Sequence, residues 1–411
     1  MHERTQRRVC RAVYVLACIV PTVFSVVGVL YFHRPWQEQD WQRVLENNLH
    51  IRSSISKVTA PSPGERQLFA VRLADLQSDS TLATVDKLHL LSDHSIFADQ
   101  IELSCNKMDD LTRTLQGWLS DAELPSVTIK VDKLLFARSA SQVFELANVV
   151  IVIKDMKALD RKLIVQADVV TAEAERGHLR FQVERAENGS WDLSLDCREG
   201  QLPAWFFADL IPGASRWNAA NFTGALQLHT AQDSTEGTLQ GTFSPIDLQE
   251  WLGNDSPHTL RSTASLQFET LHLQKHRISD AKGSLESEAG QISSSLTTAL
   301  RKSLFCVAGK KLSIAHAADG LSFEKLACKF QMSSAGLTVT GNCSVPSSET
   351  SGCLILSDGE PILLQPTYSN LPLPYFVQVF CPLDKYWLPG MRKATELAEA
   401  LPMPESENLK K

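Results

Sequence analysis

Little in this sequence announces chemistry. It has no G-x-S-x-G, H-E-x-x-H, Walker A or G-x-G-x-x-G segment, so the usual signatures of a serine nucleophile, a zinc hydrolase, a phosphate loop and a dinucleotide site are missing. None of its nine cysteines forms a C-x-x-C, which removes the zinc ribbon and the thioredoxin-type site. The net charge of −7 is mild and spread out. Without a basic stripe, the electrostatic term that drives nucleic-acid binding is absent. No second long uncharged run follows residue 32. These absences point to a non-enzyme with no cofactor, no metal site and no nucleic-acid partner.

One stretch is rich where the rest is poor. Residues 12–32, AVYVLACIVPTVFSVVGVLYF, are 21 positions without a charge; as an α-helix they would rise roughly 31 Å, enough to cross a hydrocarbon core. Ala12, Leu16, Val20, Val23, Val27, Leu30, Tyr31 and Phe32 supply the body of such an anchor, and Trp36 and Trp41 mark its exit. Tyr31 and Trp36 suit headgroup depth, where an amphipathic ring is half wet. A cleaved signal peptide is the competing reading. Its apolar core runs about 7–15 residues to a small-x-small site, whereas this one is longer and ends in Leu30-Tyr31-Phe32. Length and ending favour a retained anchor. Arg4, Arg7, Arg8 and Arg11 precede the span, against Arg34 and Arg43 after it, which favours a cytoplasmic N-terminus and an exported body.

That body is 43% hydrophobic and 21% charged over the whole chain, the composition of a folded protein. Residues 40–49 place Trp41, Val44, Leu45 and Leu49 at helical spacing. Then the period changes to two over residues 53–58, 67–73, 82–91 and 96–103, as half-buried strands require. A helix capped by Asp109 or Asp110 is expected over 111–119. Strands resume at 127, where Val127, Ile129 and Val131 alternate strictly, and continue through 195, with Asn188-Gly189 read as a tight hairpin turn. Residues 201–211 are densely apolar, either a cap on the sheet, the favoured reading, or a surface for lipid or a partner. Further strands are expected at 222–229 and 237–243, a helical turn at 247–252, an imperfect alternation over 265–274 that signals a bulge, and a helix over 290–303. Strands over 283–287, 321–342 and 352–356, a proline-rich apolar segment at 371–380 and a helix over 391–401 complete the chain. The resulting division is a basic tail (1–11), the span (12–32), a β-rich domain (33–260), a second β-rich region with helices (261–401), either separate from the first or continuous with it, and a frayed tail (402–411). The fold class is mainly β (α+β): one transmembrane helix, then a long curved antiparallel sheet of hairpins with short interspersed helices.

Few residues compete for a chemical role. His272 and His276 share strand parity, and Glu269 joins them only through a bulge; a solvated strand face is the favoured reading. Glu286 and Glu288 are same-face carboxylates and read as sheet decoration. Cys10 and Cys18 fall at the anchor, leaving an odd seven beyond it. Among these, Cys343 and Cys353 flank the loop PSSETSG symmetrically and are the candidate disulfide, against the plainer reading of two small buried apolar residues. The alternation itself carries more. A sheet with one greasy face must pack on another, curl on itself or hold an apolar ligand, and each buried methylene of an acyl chain is worth about 0.8 kcal/mol.

The basic N-terminus, single span, immediate helix and following hairpins resemble the AsmA-like proteins of double-membrane bacterial envelopes. The residues that carry this are IRSSISKVTAPSPGERQLFAVRLAD (51–75), VTIKVDKLLF (127–136), ENGSWDLSL (187–195) and GTLQGTFSPIDLQEWL (237–252). The resemblance covers residues 1–260. It implies a curved sheet with a hydrophobic groove, anchored in the inner membrane with its bulk periplasmic, binding or passing phospholipid or supporting outer-membrane assembly, with no catalytic residues. At 411 residues the chain is much shorter than the large members. The alternative is a non-catalytic structural or adaptor protein that docks an envelope protein partner through its β face, and an enzyme with scattered loop residues is the third reading.

Overall fold

A computed structural model describes residue 23 and residues 36–402, apart from 50, 63–64, 76–77, 92–94, 105–116, 118, 120–125, 140–141, 158–159, 171–175, 186–188, 209, 212–213, 232–233, 254–255, 275–276, 315–319, 345–351 and 381–400. The fold is mainly β, and it divides into two compact units, residues 1–168 and 169–411.

The first unit opens with α1 (Trp36–Leu49), packed beside β1 (Ile51–Ser54) and β2 (Lys57–Thr59). Both of these short strands pair antiparallel with β3 (Arg66–Asp75). The sheet then grows through β4 (Thr81–Leu90), β5 (Ser95–Ser104), β6 (Val127–Ser139) and β7 (Gln142–Lys157). Asp75, buried at the β3 end, closes the turn into β4 by accepting bonds from the Ser78 amide (2.8 Å) and hydroxyl (2.9 Å). One step departs from the expected hairpins. β5 and β6 run parallel, Ile96 beside Ile129 and Ile101 beside Leu134. Parallel neighbours need a crossover of a dozen or more residues, and residues 105–126 supply it; Gly117 and Leu119 within it are helical. β8 (Asp160–Val170) spans the boundary between the units.

The five strands β3–β7 share a feature that none shows alone. In each, two inward residues are three apart, with two outward residues between them: Leu68 and Val71, Val85 and Leu88, Ala98 and Ile101, Val131 and Leu134, Leu146 and Val149. The outward pairs, such as Asp99-Gln100 and Asp132-Lys133, stand beside one another across the sheet. Because each strand carries the same extra outward position, the register is kept while the alternation changes phase. Two of these positions take left-handed backbone, Ala70 (φ 48°) and Asn148 (φ 50°).

The second unit is an antiparallel run: β9 (Arg176–Arg185), β10 (Trp191–Asp196), β12 (Asn221–Ala231), β13 (Ser234–Asp247), β15 (Thr263–Gln274), β16 (Arg277–Ser287) and β20 (Lys325–Ser333), with β11 (Leu202–Pro203) on β12. β20 then pairs with both β21 (Gly336–Gly341) and β22 (Cys353–Ser357), and β23 (Glu360–Pro366) bridges β22 to β18 (Cys306–Ala308). A separate small sheet joins β14 (Leu260–Arg261), β17 (Gly290–Ile292) and β19 (Leu321–Phe323). The sheet passes the 260/261 position without interruption, since β13 pairs directly with β15. Arg185 faces Trp191, so five residues, rather than a two-residue turn at Asn188-Gly189, connect β9 to β10. The bulge expected in 265–274 falls between Phe268 and Thr270.

Two packing devices hold this unit. The apolar segment after β11 makes a 3-10 turn (Ala204–Phe207) whose Trp205 and Phe207 are buried, along with Ile211 and Trp217. Phe207, Phe222, Phe243, Phe268 and Phe330 form a chain of ring contacts 4.5–6.2 Å between centroids. Gly224 and Gly241 lie opposite each other under it; a Cβ on either would come within 2.8 or 2.7 Å of the Phe222 ring. The second device is a core of Leu248, Leu252, Leu260, Ile292, Leu296 and Ile362 under α2 (Leu248–Leu252), α3 (Ser294–Ser303), α4 (Lys310–Ile314) and α5 (Leu373–Phe380). Asp247 caps α2 by accepting from the amides of Gln249 (2.7 Å) and Glu250 (3.0 Å), and the Ser293 hydroxyl caps α3 at the Leu296 amide (3.3 Å).

Candidate functional site

The apolar face of β3–β7 is the most extensive candidate in the first unit. Its residues fall in four cross-strand rows. The two middle rows, Leu68–Leu88–Ala98–Val131–Val149 and Val71–Val85–Ile101–Leu134–Leu146, are buried except for half-buried Leu88 and Ile101. The outer rows are different. Leu90, Ile96, Ile129 and Ile151 on one side are all half-buried, as are Leu73, Leu103, Phe136 and Phe144 on the other, where only Ala83, between Leu73 and Leu103, is buried. Phe136 and Phe144 stand as a cross-strand ring pair 6.3 Å apart. Large aliphatic side chains fix these rows because β-branched residues suit the pleat and alternate to one side. The opposite face is mixed: Phe97, Leu135, Val150 and Val152 stand among charged and polar residues, and Lys57 and Lys87 lie about the Phe69 ring at 6.0 and 5.9 Å.

The second unit carries a trough of about 500 Å³ on the polar face of β9, β10, β12, β13 and β15. Gln182, Ser194, Gln227 and Thr238 form one row of its floor; Asp192, His229, Glu236 and Gln274 form the next. His229 Nδ1 lies 2.6 Å from Asp192 Oδ1, with both side chains about half exposed. Leu193, Leu228 and Leu273 add apolar surface to this lining of amides, hydroxyls, carboxylates and one imidazole. It contains neither an apolar channel nor a thiol.

The expected site residues are distributed as follows. Ala12, Leu16, Val20, Val27, Leu30, Tyr31 and Phe32 lie outside the described residues; Val23 is helical and exposed. Trp36 and Trp41 both belong to α1, where Trp41 is half-buried. Among the described residues no helix is long and apolar enough to cross a membrane. His272 is exposed on β15, and Glu269 is held by Lys282 at 2.5 Å, which draws its carboxyl below the usual range. His276 lies outside the described residues, and among those described no group of His, Cys, Asp or Glu is arranged to hold a metal ion. Glu286 and Glu288 are exposed.

Cys343 and Cys353 face each other across an isolated antiparallel bridge, and both are free thiols in this structure. Cys343 differs from the other described cysteines. Burial pushes the thiol of Cys197 up to about 11 and those of Cys306 and Cys328 up to about 12. Cys343 moves the other way, held below the ordinary thiol range chiefly by its hydrogen bond with Cys353.

Sequence reasoning found the strands and the greasy periodicity but not the graded opening of the apolar face. The available signal was the i, i+3 spacing of large residues inside otherwise alternating strands. Comparison of the chain with family models, curated proteins and solved structures finds no match to any of them.

Proposed function

We propose that this is a membrane-anchored, non-enzymatic envelope protein that lays the acyl chains of a phospholipid along the apolar face of β3–β7. The observation that carries the reading is the gradient across that face: two buried middle rows flanked by outer rows of half-buried Leu, Ile and Phe. An acyl chain covering the outer rows removes its own methylenes and theirs from water. Ten methylenes amount to roughly 8 kcal/mol before the costs of association. The first strand follows α1 directly, which in turn follows the uncharged segment 12–32, so the face begins where the chain would leave the bilayer. The resemblance to AsmA-like proteins agrees with this assignment.

Native mass spectrometry of the detergent-extracted protein tests it. Phospholipid is expected to copurify, and Leu90→Asp with Ile129→Asp is expected to lower its occupancy roughly tenfold, because an acyl chain would then desolvate two carboxylates. The paired control, Gln227→Asp with Thr238→Asp in the polar trough, leaves occupancy unchanged. Protein free of lipid, or equal loss in both double variants, overturns the reading. Lipid-free protein that retains an envelope protein through β3–β7 would favour the adaptor instead.

A further inference from the structure

We propose that Cys343 and Cys353 are a thiol pair built to close as a cross-strand disulfide, with the Cys343 sulfur as the attacking atom. The geometry is set by backbone on both sides. The Cys343 amide donates to the Cys353 carbonyl at 2.9 Å, and directly opposed antiparallel residues send their side chains to the same side of the sheet. Such residues have Cα atoms about 4.5–5.5 Å apart, inside the span of about 4.4–6.8 Å that a disulfide bridges.

Neighbouring bonds fix both positions. The Asn342 amide donates to Ala327 at 2.9 Å, and the Gln365 amide to Gly352 at 2.8 Å. Gly352 sits at φ 88° with the Gln365 side chain against it, so a Cβ there would lie 2.5 Å from the Gln365 Cδ. The two sulfurs share a small apolar cluster with Ala327, Leu356 and Leu364. Cys353 is fully buried, whereas Cys343 keeps 8% of its surface exposed. Within the pair the hydrogen bond favours the Cys343 thiolate and raises Cys353, and the Lys325 charge adds to the effect on Cys343. Of the two, Cys343 is thus the thiol better placed to react first.

The reaction is thiol–disulfide exchange with a disulfide oxidant such as glutathione disulfide. The Cys343 thiolate attacks one oxidant sulfur, forming a mixed disulfide and releasing the other sulfur as thiolate. The Cys353 thiol then gives up its proton and attacks the Cys343 sulfur, expelling the second oxidant thiol. Two protein thiols are oxidised and one oxidant disulfide is reduced.

Peptide mapping of the full chain tests this. The reduced protein is incubated with glutathione disulfide, its remaining thiols are alkylated, and it is cut after lysine and glutamate. Cleavage at Lys329 and Glu349 places Cys328, Cys343 and Cys353 on three separate peptides. The expected result is a linked pair lighter by two hydrogens, separated by dithiothreitol and retained in Cys328→Ala. Alkylation of Cys343 in the reduced protein should be roughly tenfold faster than that of Cys353, which has no exposed surface. A Cys343 that stops at the glutathione adduct, or a Cys353 linked to Cys328 instead, overturns the proposal. The map of the unaltered chain decides even if a variant fails to fold.

Discussion

His258 is buried to 2% exposure, yet it clasps three segments. Its Nε2 donates to the Val379 carbonyl of α5 at 2.8 Å, and its Nδ1 lies 3.0 Å from the Ser295 hydroxyl of α3, which itself donates to the Pro257 carbonyl at 3.1 Å. Desolvation lowers its folded pKa from 6.5, only partly offset by the Val379 carbonyl. Folding therefore opposes protonation here. The contribution of His258 is complete above the unfolded value of 6.5 and is lost as pH falls below it toward the depressed folded value. Urea midpoints are expected to fall on acidification below pH 6.5, and His258→Ala should flatten that dependence. At neutral pH the same variant should lose about 1–3 kcal/mol, since it leaves the Val379 carbonyl without its imidazole partner. A pH profile of the variant parallel to that of the parent would show that another group is responsible. Nothing in the sequence singled out this histidine, because its partners are 37 and 121 residues away.

At the level of elements, the line of double outward positions through β3–β7 explains both what periodicity could and could not show. Val127, Ile129 and Val131 announce β6 plainly. Beyond Val131 the phase slips by one, so Leu134 faces inward where strict alternation predicts Leu135. Read singly, such a slip looks like noise. Only the alignment of five strands turns it into one feature of the sheet. The helix Leu373–Phe380 was hidden for another reason: Pro372 and Pro374 read as breakers, but Pro374 lies in the first turn, where a missing amide costs no helical bond. Asn148 is the position that tests the line. It combines left-handed backbone (φ 50°) with a bond from its Nδ2 to Asp168 at 2.8 Å. Asn148→Ala should lose both advantages, about 1–2 kcal/mol in urea unfolding, whereas Asn148→Gly keeps the backbone freedom and should lose less. Equal losses in the two variants would mean that backbone conformation contributes nothing at this position.

For the molecule as a whole, the sequence made the β-rich class and most strands legible, but not the parallel step from β5 to β6. The helical pattern at 111–119 between two strands was the available clue, and a hairpin reading passed over it. The uncharged segment 12–32 is the opposite case, legible in sequence and outside the described residues except at Val23. Our reading makes it a retained tether, and a whole-protein measurement separates this from a cleaved leader. A tether predicts that the mature chain still begins before residue 12, sediments with membranes and resists alkaline carbonate. A chain lacking residues 1–32 should instead appear in the soluble fraction if it is made in the cytoplasm. The charge asymmetry adds a direction: four arginines precede the span by residue 11, so protease added to inner-membrane spheroplasts should digest the β-rich body and spare the N-terminus. A mature N-terminus within or just after residues 12–32 would mark cleavage and remove the tether. The acyl-binding proposal would then lose its bilayer exit but keep its apolar rows, and the lipid occupancy of the released protein would decide whether those rows act alone.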